Sequence, residues 1–481
     1  MVISRIGILI LLFFSSTMAK VPLRAPAEEP GVGVSQFNLI PVFAFENDEF
    51  IGLSLINTSV VMNEVAVTWT DSEGKSARTG FLSLAPGSQR VALLKEILGI
   101  PVDPTEGWIR IDSSEPGLLS YTSSGRDGIL DGAETASLAS TRIILPHVAV
   151  DTGFVELEYT DTLVYLVNPG PAAASAQVKL MSLDGLAAGG LTVSIPARAS
   201  YKLRVSEAFR DVLPPNHVGG RTFRGYVRVS SDEGLAGWLR IDTPLSRRLL
   251  RGRGVEEIVP ARLAMVSHFV FGSPALYRSE LNLINAGDAA VTLDMVAQDD
   301  RGGRIGQAVR RTLSPGQAFR EDVLTLFHIA VPEVFPPPLL AGYIRIRAAD
   351  GGMFQAIGDI DITCGVSTAS MLYPIGVASS FDAIMPFVIH DSDYFTGYAI
   401  ANPNEMLTVQ MDITIILLDR DGRPVGSPRS VSLSPSARFV SLIETKVRSG
   451  YLRIHTNGPF TVLGCIGTWS GSMLAPLPRL P

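Results

Sequence analysis

Gly107-Trp-Ile-Arg-Ile111 decides the fold, because it returns as Gly225-Tyr-Val-Arg-Val229, Gly342-Tyr-Ile-Arg-Ile346 and Gly450-Tyr-Leu-Arg-Ile454. The copies begin 118, 117 and 108 residues apart. So regular a period sets the number of folding units before any single residue is interpreted. It also argues against catalysis, since enzymes rarely need four copies of one site.

Other landmarks keep step. Leu55-Ile-Asn57, Leu166-Val-Asn168, Leu283-Ile-Asn285 and Ala399-Ile-Ala-Asn402 each close a β-type run. Turns rich in Asp and Gly follow at Asp71-Ser-Glu-Gly74, Asp184-Gly185, Asp299-Asp-Arg-Gly302 and Asp419-Arg-Asp-Gly422. Next come Leu84-Ala-Pro-Gly87, Ile195-Pro-Ala197, Leu313-Ser-Pro-Gly316 and Leu433-Ser-Pro-Ser436. Polar and apolar residues alternate in Glu64-Val-Ala-Val-Thr-Trp69 and Gln177-Val-Lys-Leu180, the mark of a strand with one face in a core. The Asp-Gly turns join such strands into hairpins, where glycine supplies the positive φ. One stretch per unit changes period. Val91 to Leu98 ends at Gly99 as a helix would, with counterparts at Val205 to Val212, Arg320 to Phe327 and, shorter, Val440 to Lys446.

The expected fold is therefore all-β: four tandem antiparallel β-sandwich units forming a bent rod. Each unit is immunoglobulin-like in outline, with six or seven strands and one short helix. Pro41, Pro146, Pro260 and Pro374 mark the opening strands. Unit boundaries fall at 36–143, 144–256, 257–371 and 372–481, after a linker at 20–35. Residues 1–19 read as a cleaved secretory signal: Arg5, an apolar core from Ile6 to Phe14, and small residues around Ala19. That core is shorter than a membrane span. The C-terminus shows no hydrophobic tail with a basic stop. The mature chain is expected to be soluble and secreted, periplasmic or at the cell surface.

Charged residues make up only 18% against 46% hydrophobic, which excludes a disordered chain. A net charge of −7 lacks the basic face that nucleic acid requires. Arg247, Arg248, Arg251 and Arg253 form the one basic cluster, between the second and third units, and are expected in a solvated linker. Cys364 and Cys465 occupy nearly equivalent places in the last two units and are expected as buried free thiols, although a bridge is possible if those units pack side by side.

With these motifs the chain resembles tandem β-sandwich repeats of large exported bacterial proteins. In those repeats Leu-x-Asn, Leu-x-Pro-Gly and Gly-x-hydrophobic-Arg-hydrophobic recur in each unit. The resemblance covers roughly residues 35–478 and implies no catalytic residues, such repeats being of unassigned function and often appended to other modules. Here they make up nearly the whole mature chain.

For ligand contact the candidates are the aromatic–arginine pairs Trp108/Arg110, Tyr226/Arg228, Tyr343/Arg345 and Tyr451/Arg453. On a strand both members point away from the aliphatic pair that enters the core. They could stack on sugars; the structural alternative is that they stack on each other or cover neighbouring elements. Glu46-Asn-Asp-Glu49 and Asp391-Ser-Asp393 carry oxygen ligands suited to calcium, yet suit ordinary turns as well. Asp419-Arg-Asp-Gly422 begins like an EF-hand loop but lacks its later glutamate. The six histidines show no zinc spacing, with His147, His268 and His390 placed near the openings of units. Gly467-Thr-Trp-Ser-Gly471 misses the nucleophile-elbow spacing, and no phosphate or dinucleotide loop is present. Asn57-Thr-Ser59 is formally a glycosylation sequon at a repeated strand-end Asn.

The sequence thus predicts a non-catalytic exported structural or binding protein, without cofactor or metal, contacting another exported protein or a glycan. A carbohydrate-binding array built on the aromatic–arginine pairs is the alternative. An enzyme with its site in one divergent loop comes third.

Overall fold

Alternation does locally what it predicts. In the strand Asn63–Thr70, Val65 and Val67 are buried while Glu64 faces solvent. This is a computed structural model, and it describes residues 36–480 apart from 43–48, 127–128, 153–158, 217–218, 244–245, 274–275, 365–369, 378–379, 405–409, 471–472 and 478–479. The expected signal and linker, Glu46 to Asp48, most of the insertion at 151–161, and His217 lie outside the described residues.

The architecture is all-β, built from several small antiparallel sheets. In the first repeat one sheet has the order Gln36–Val42, Gly107–Ser113, Asn63–Thr70, Ala77–Leu84. A second has the order Gln89–Leu93, Phe50–Asn57, Leu118–Arg126, Ile129–Glu134. Ile40, Val67, Ile109 and Ile111 from the first sheet share one core with Leu53, Leu55 and Leu118 from the second. The third repeat repeats this order. In the second and fourth, Thr222–Asp242 and Tyr451–Thr468 run unbroken from one sheet into the other.

The helices are shorter than their periodicity suggests. Gln89–Leu93 is spent pairing with Phe50–Asn57, so the helix covers only Leu94–Leu98. It ends at Gly99 with φ 64°, the left-handed cap that the glycine predicts. Its counterparts are single turns at Val205–Ala208 and Val323–Leu326. The fourth is absent: Arg438–Leu442 is a strand, and Val440 and Leu442 are exposed. Of the apolar residues from Val440 to Lys446 only Ile443 is buried, too little for so short a segment to offset helix nucleation.

Strand pairing also places one of the landmark prolines. Ser370–Pro374 pairs with Ala356–Cys364, so Pro374 closes the second sheet of the third repeat. The fourth repeat's own pairing begins with Ser380–Met385.

An extended rod would keep the first and fourth repeats apart. Instead Tyr451 Oη donates to Gly87 O at 2.6 Å, and Gln89 N donates to Arg420 O at 2.8 Å. Contacts run from first to second, second to third, third to fourth and fourth back to first, so the chain closes on itself. The last strand of each repeat lies near the common axis: Ile129–Glu134, Arg247–Arg251, Ser370–Pro374 and Leu474–Leu477 pack against one another in a cycle.

Candidate functional site

The repeated motifs converge on the junctions between repeats. Each landmark Asn is buried at a strand end, where its side-chain amide donates to the strand before the Pro-containing turn. Asn57 Nδ2 reaches Leu84 O at 2.9 Å, Asn168 reaches Ile195 O at 3.1 Å, Asn285 reaches Leu313 O at 3.0 Å, and Asn402 reaches Leu433 O at 3.1 Å. With the amide so committed, Asn57 is sealed inside the fold, and the sequon there has no accessible acceptor.

The turn that each Asn supports carries a residue at positive φ: Gly87, Arg198, Gly316 or Ser436. That residue's carbonyl is the target of the preceding repeat's aromatic side chain. Trp108 Nε1 donates to Arg198 O at 2.8 Å, Tyr226 Oη to Gly316 O at 2.6 Å, Tyr343 Oη to Ser436 O, and Tyr451 Oη to Gly87 O. The hairpin tips dock beside these bonds. A Cβ on Gly74, Gly185, Gly302 or Gly422, all at positive φ, would come within 3.0 Å of the next repeat's turn backbone, so only glycine fits.

The candidate ligand-facing aromatics are therefore joint residues. Trp108, Tyr226, Tyr343 and Tyr451 are at most 4% exposed, and none presents a ring face to solvent. Both faces of the phrase strand are buried here: Ile109 and Ile111 enter their own core, while Trp108 packs with Leu163, Tyr165 and Trp238 of the second repeat. The arginines are used unevenly. Arg110 pairs with Asp112 at 2.8 Å and lies over the Phe37 ring, and Arg345 donates to Ser436 Oγ at 3.2 Å. Arg453 lies 3.8 Å from Asp382, and Arg228 is exposed.

The expected solvated linker at Arg247 to Arg253 is overturned. Arg247–Arg251 is an axial strand, and Arg248 and Arg251 are buried. Arg247 pairs with Glu49, Arg248 with Asp361, Arg251 with Glu257 at 2.5 Å and Arg253 with Glu134 at 2.5 Å. The acids come from both neighbouring repeats, and local spacing gives no sign of them. Next to this network, His147 Nδ1 lies 2.8 Å from Asp359 Oδ1, with both side chains wholly buried. Burial holds His147 well below the usual histidine range and pushes the Asp359 carboxyl up to about 6.

The other candidates serve their own turns. Asp391 Oδ1 accepts from the amides of Asp393 and Tyr394, and Asp419 Oδ1 from those of Asp421 and Arg423. Cys364 is buried and Cys465 partly so, and both are thiols outside any disulfide. Trp469 is half exposed, but His390 and Phe395 pack against its ring.

The copies differ at one joint position, three residues before each landmark Asn: Ser54, Tyr165, Asn282 and Ala399. Tyr165 fills the first joint together with Trp238. Asn282 donates to Pro146 O at 2.7 Å and to Asp359 at 2.9 Å, making the second joint polar. Ser54 Oγ donates to Pro386 O at 2.6 Å, and this small side chain leaves the closing joint unfilled. A cavity of about 80 Å³ opens there, lined by Phe50, Leu53, Tyr121, Phe387, Tyr394 and Ile466, with Arg420 and Arg448 also in its wall.

No family model matches the chain, and no curated protein matches it. Solved structures show only faint likeness, two among them being as follows. One is an α-L-rhamnosidase of Streptomyces avermitilis complexed with L-rhamnose, at 8% identity and TM-score 0.12; 86% of this chain is covered, and the chain spans 55% of that enzyme. The other is a tetra-tandem repeat from the extending region of a large adhesion protein, at 10% identity and TM-score 0.11, covering 86% of this chain and 90% of that one. Neither likeness is close enough to argue from. Among the described residues, no helix is long and apolar enough to cross a membrane.

Proposed function

We propose that this chain is a non-catalytic exported binding protein: four β-sandwich units closed into a ring, which presents its variable loops to another surface protein or a glycan. The observation that carries this reading is the fourfold joint. The most regular side chains of every repeat, Trp108, Tyr226, Tyr343 and Tyr451, are committed to holding units together. Conserved chemistry thus serves assembly, and recognition falls to the parts that differ between copies.

Binding of the labelled mature chain to the producing cells tests this reading. Saturable binding abolished by protease treatment of the cells identifies a protein partner, and binding abolished by periodate identifies a glycan. Absence of saturable binding, or retention of the chain inside the cell with residues 1–19 attached, contradicts the proposal.

A further inference from the structure

Each repeat ends its two sheets, on the side away from the axis, in a strand that pairs along one side only. An open edge of this kind accepts a further strand, and proteins commonly guard it with charge. Among the described residues, seven of these eight edge strands carry an arginine or a lysine. In the first sheets these are Arg78, Arg304 and Arg429. The second-sheet edges carry Arg90, Lys202, Arg320 and Arg438. The exception is Ala187-Ala-Gly-Gly-Leu-Thr-Val-Ser-Ile195, the outer strand of the second repeat's first sheet, which has no charged residue. Two of its counterparts are blunted further. In the third repeat Gln307 N donates to Phe327 O at 2.7 Å, and in the fourth the strand has only 5 residues.

Gly190 is a second sign. A Cβ there would meet nothing nearer than Val178 O at 3.6 Å, and its φ lies outside the left-handed region. Neither packing nor backbone therefore requires glycine at this position. At Gly189, by contrast, a Cβ would meet Val212 Cγ2 at 2.8 Å. A strand glycine without an internal reason marks a place where another backbone comes close. The register shifts at Ala188, so the regular edge runs from Gly190 to Ile195. Val193 and Ile195 are buried in the core, which fixes that register, while Thr192 and Ser194 face solvent. Two exposed apolar side chains flank the edge: Leu186 just before it, and Val212 beside Gly189.

We propose that two copies of this chain associate through Gly190–Ile195, each strand adding to the other's sheet in antiparallel pairing across a two-fold axis. In such pairing each strand meets its own copy, so an arginine on the edge would face the same arginine nearby, and like charges repel. Of the eight edges only the uncharged one escapes this. With the axis through Thr192, Thr192 meets Thr192, Gly190 meets Ser194, and Leu191 meets Val193. Polar residues then stay on the outer face and apolar ones over the core. Lys179 lies opposite Gly190 on the adjoining strand, three strand spacings or ~14 Å sideways from its counterpart, where salt screens the repulsion. The edge faces away from the axis, so association leaves the four joints as they are. It does not rest on the binding function proposed above.

Light scattering and sedimentation of the purified mature chain over a range of concentrations test this. The expected result is a mass that rises toward twice that of one chain. Thr192→Arg gives this edge the guard that the others carry and should weaken association at least tenfold. Thr79→Arg, at an exposed position on the first repeat's edge, should leave it unchanged. Thr192→Cys, in a Cys364→Ser, Cys465→Ser background, should link two copies by a disulfide under mild oxidation, since directly opposed Cα atoms lie about 4.5–5.5 Å apart. The mass of one chain at every concentration would overturn the proposal and leave the edge to a strand of another protein. Undiminished association of a folded Thr192→Arg variant, or no linked pair from Thr192→Cys, would overturn it as well.

Discussion

Tyr451 and Gly87 lie 364 positions apart in the chain and are joined by a 2.6 Å hydrogen bond from the phenol to the glycine carbonyl. Tyr226 and Gly316, 90 positions apart, make the same bond at the same length. The joint that closes the ring is therefore built like one between covalently adjacent repeats. Tyr451→Phe leaves the Gly87 carbonyl without its phenol partner and should cost about 1–3 kcal/mol. Tyr226→Phe should cost the same, as read from denaturant midpoints of the two variants. A negligible cost for Tyr451→Phe alone would mean that the seam stands open in solution.

The third joint is sensitive to acid. Arg438 Nη1 lies 2.8 Å from His268 Nδ1, so the ring nitrogen must be the acceptor and the imidazole neutral. Burial, helped by the Arg438 charge, pushes the His268 pKa down to about 3. The unfolded chain takes up this proton near pH 6.5 and the folded chain only near 3, so stability falls as pH drops through that window. The slope from this one residue approaches about 1.4 kcal/mol per pH unit. His268→Gln should remove that share of the acid lability between pH 6 and 4, measured as unfolding free energy against pH. An unchanged pH profile would refute the assignment.

Arg248 on the axial strand is buried against Asp361, with Arg320 3.6 Å from the same carboxylate. Truncating Arg248→Ala leaves a buried acid short of its partner and should cost roughly 3–5 kcal/mol. Replacing both members, with Arg248→Met and Asp361→Leu, should recover much of the loss. Equilibrium unfolding of the single and double variants checks this.

Arg198 holds a left-handed backbone, φ 58°, at a turn position that is glycine in the first and third repeats. The joint uses only its carbonyl, which receives the Trp108 bond. Arg198→Gly should therefore stabilise the protein, by up to about 1 kcal/mol. A loss of stability would mean that the arginine side chain contributes to the joint.

The repeats, the hairpins and the all-β class were legible in the sequence because they follow from local alternation and turn chemistry. The first helix kept its Gly99 stop but lost its opening residues, since Gln89–Leu93 is claimed by a sheet partner over 30 positions away. Alternation correctly sent Trp108 and Arg110 to the opposite side from Ile109. It could not say that this side faces another repeat. Local spacing shows no partner for Arg248, because Asp361 is 113 positions distant. Ring closure was hidden for the same reason: Gly87 and Tyr451 look like ordinary members of their own repeats. The cavity shows in the sequence only as Ser54 standing where Tyr165 and Asn282 stand in other copies.

Closure itself is the central claim, and the distance between the first and fourth repeats tests it most directly. Spin labels at Pro86→Cys and Arg423→Cys, in a Cys364→Ser, Cys465→Ser background, flank the seam on exposed positions. Pulsed electron–electron resonance should give one narrow, short distance, within about one domain diameter of ~35 Å. A broad distribution centred near twice that length, as two intervening units in a rod would impose, would contradict the ring.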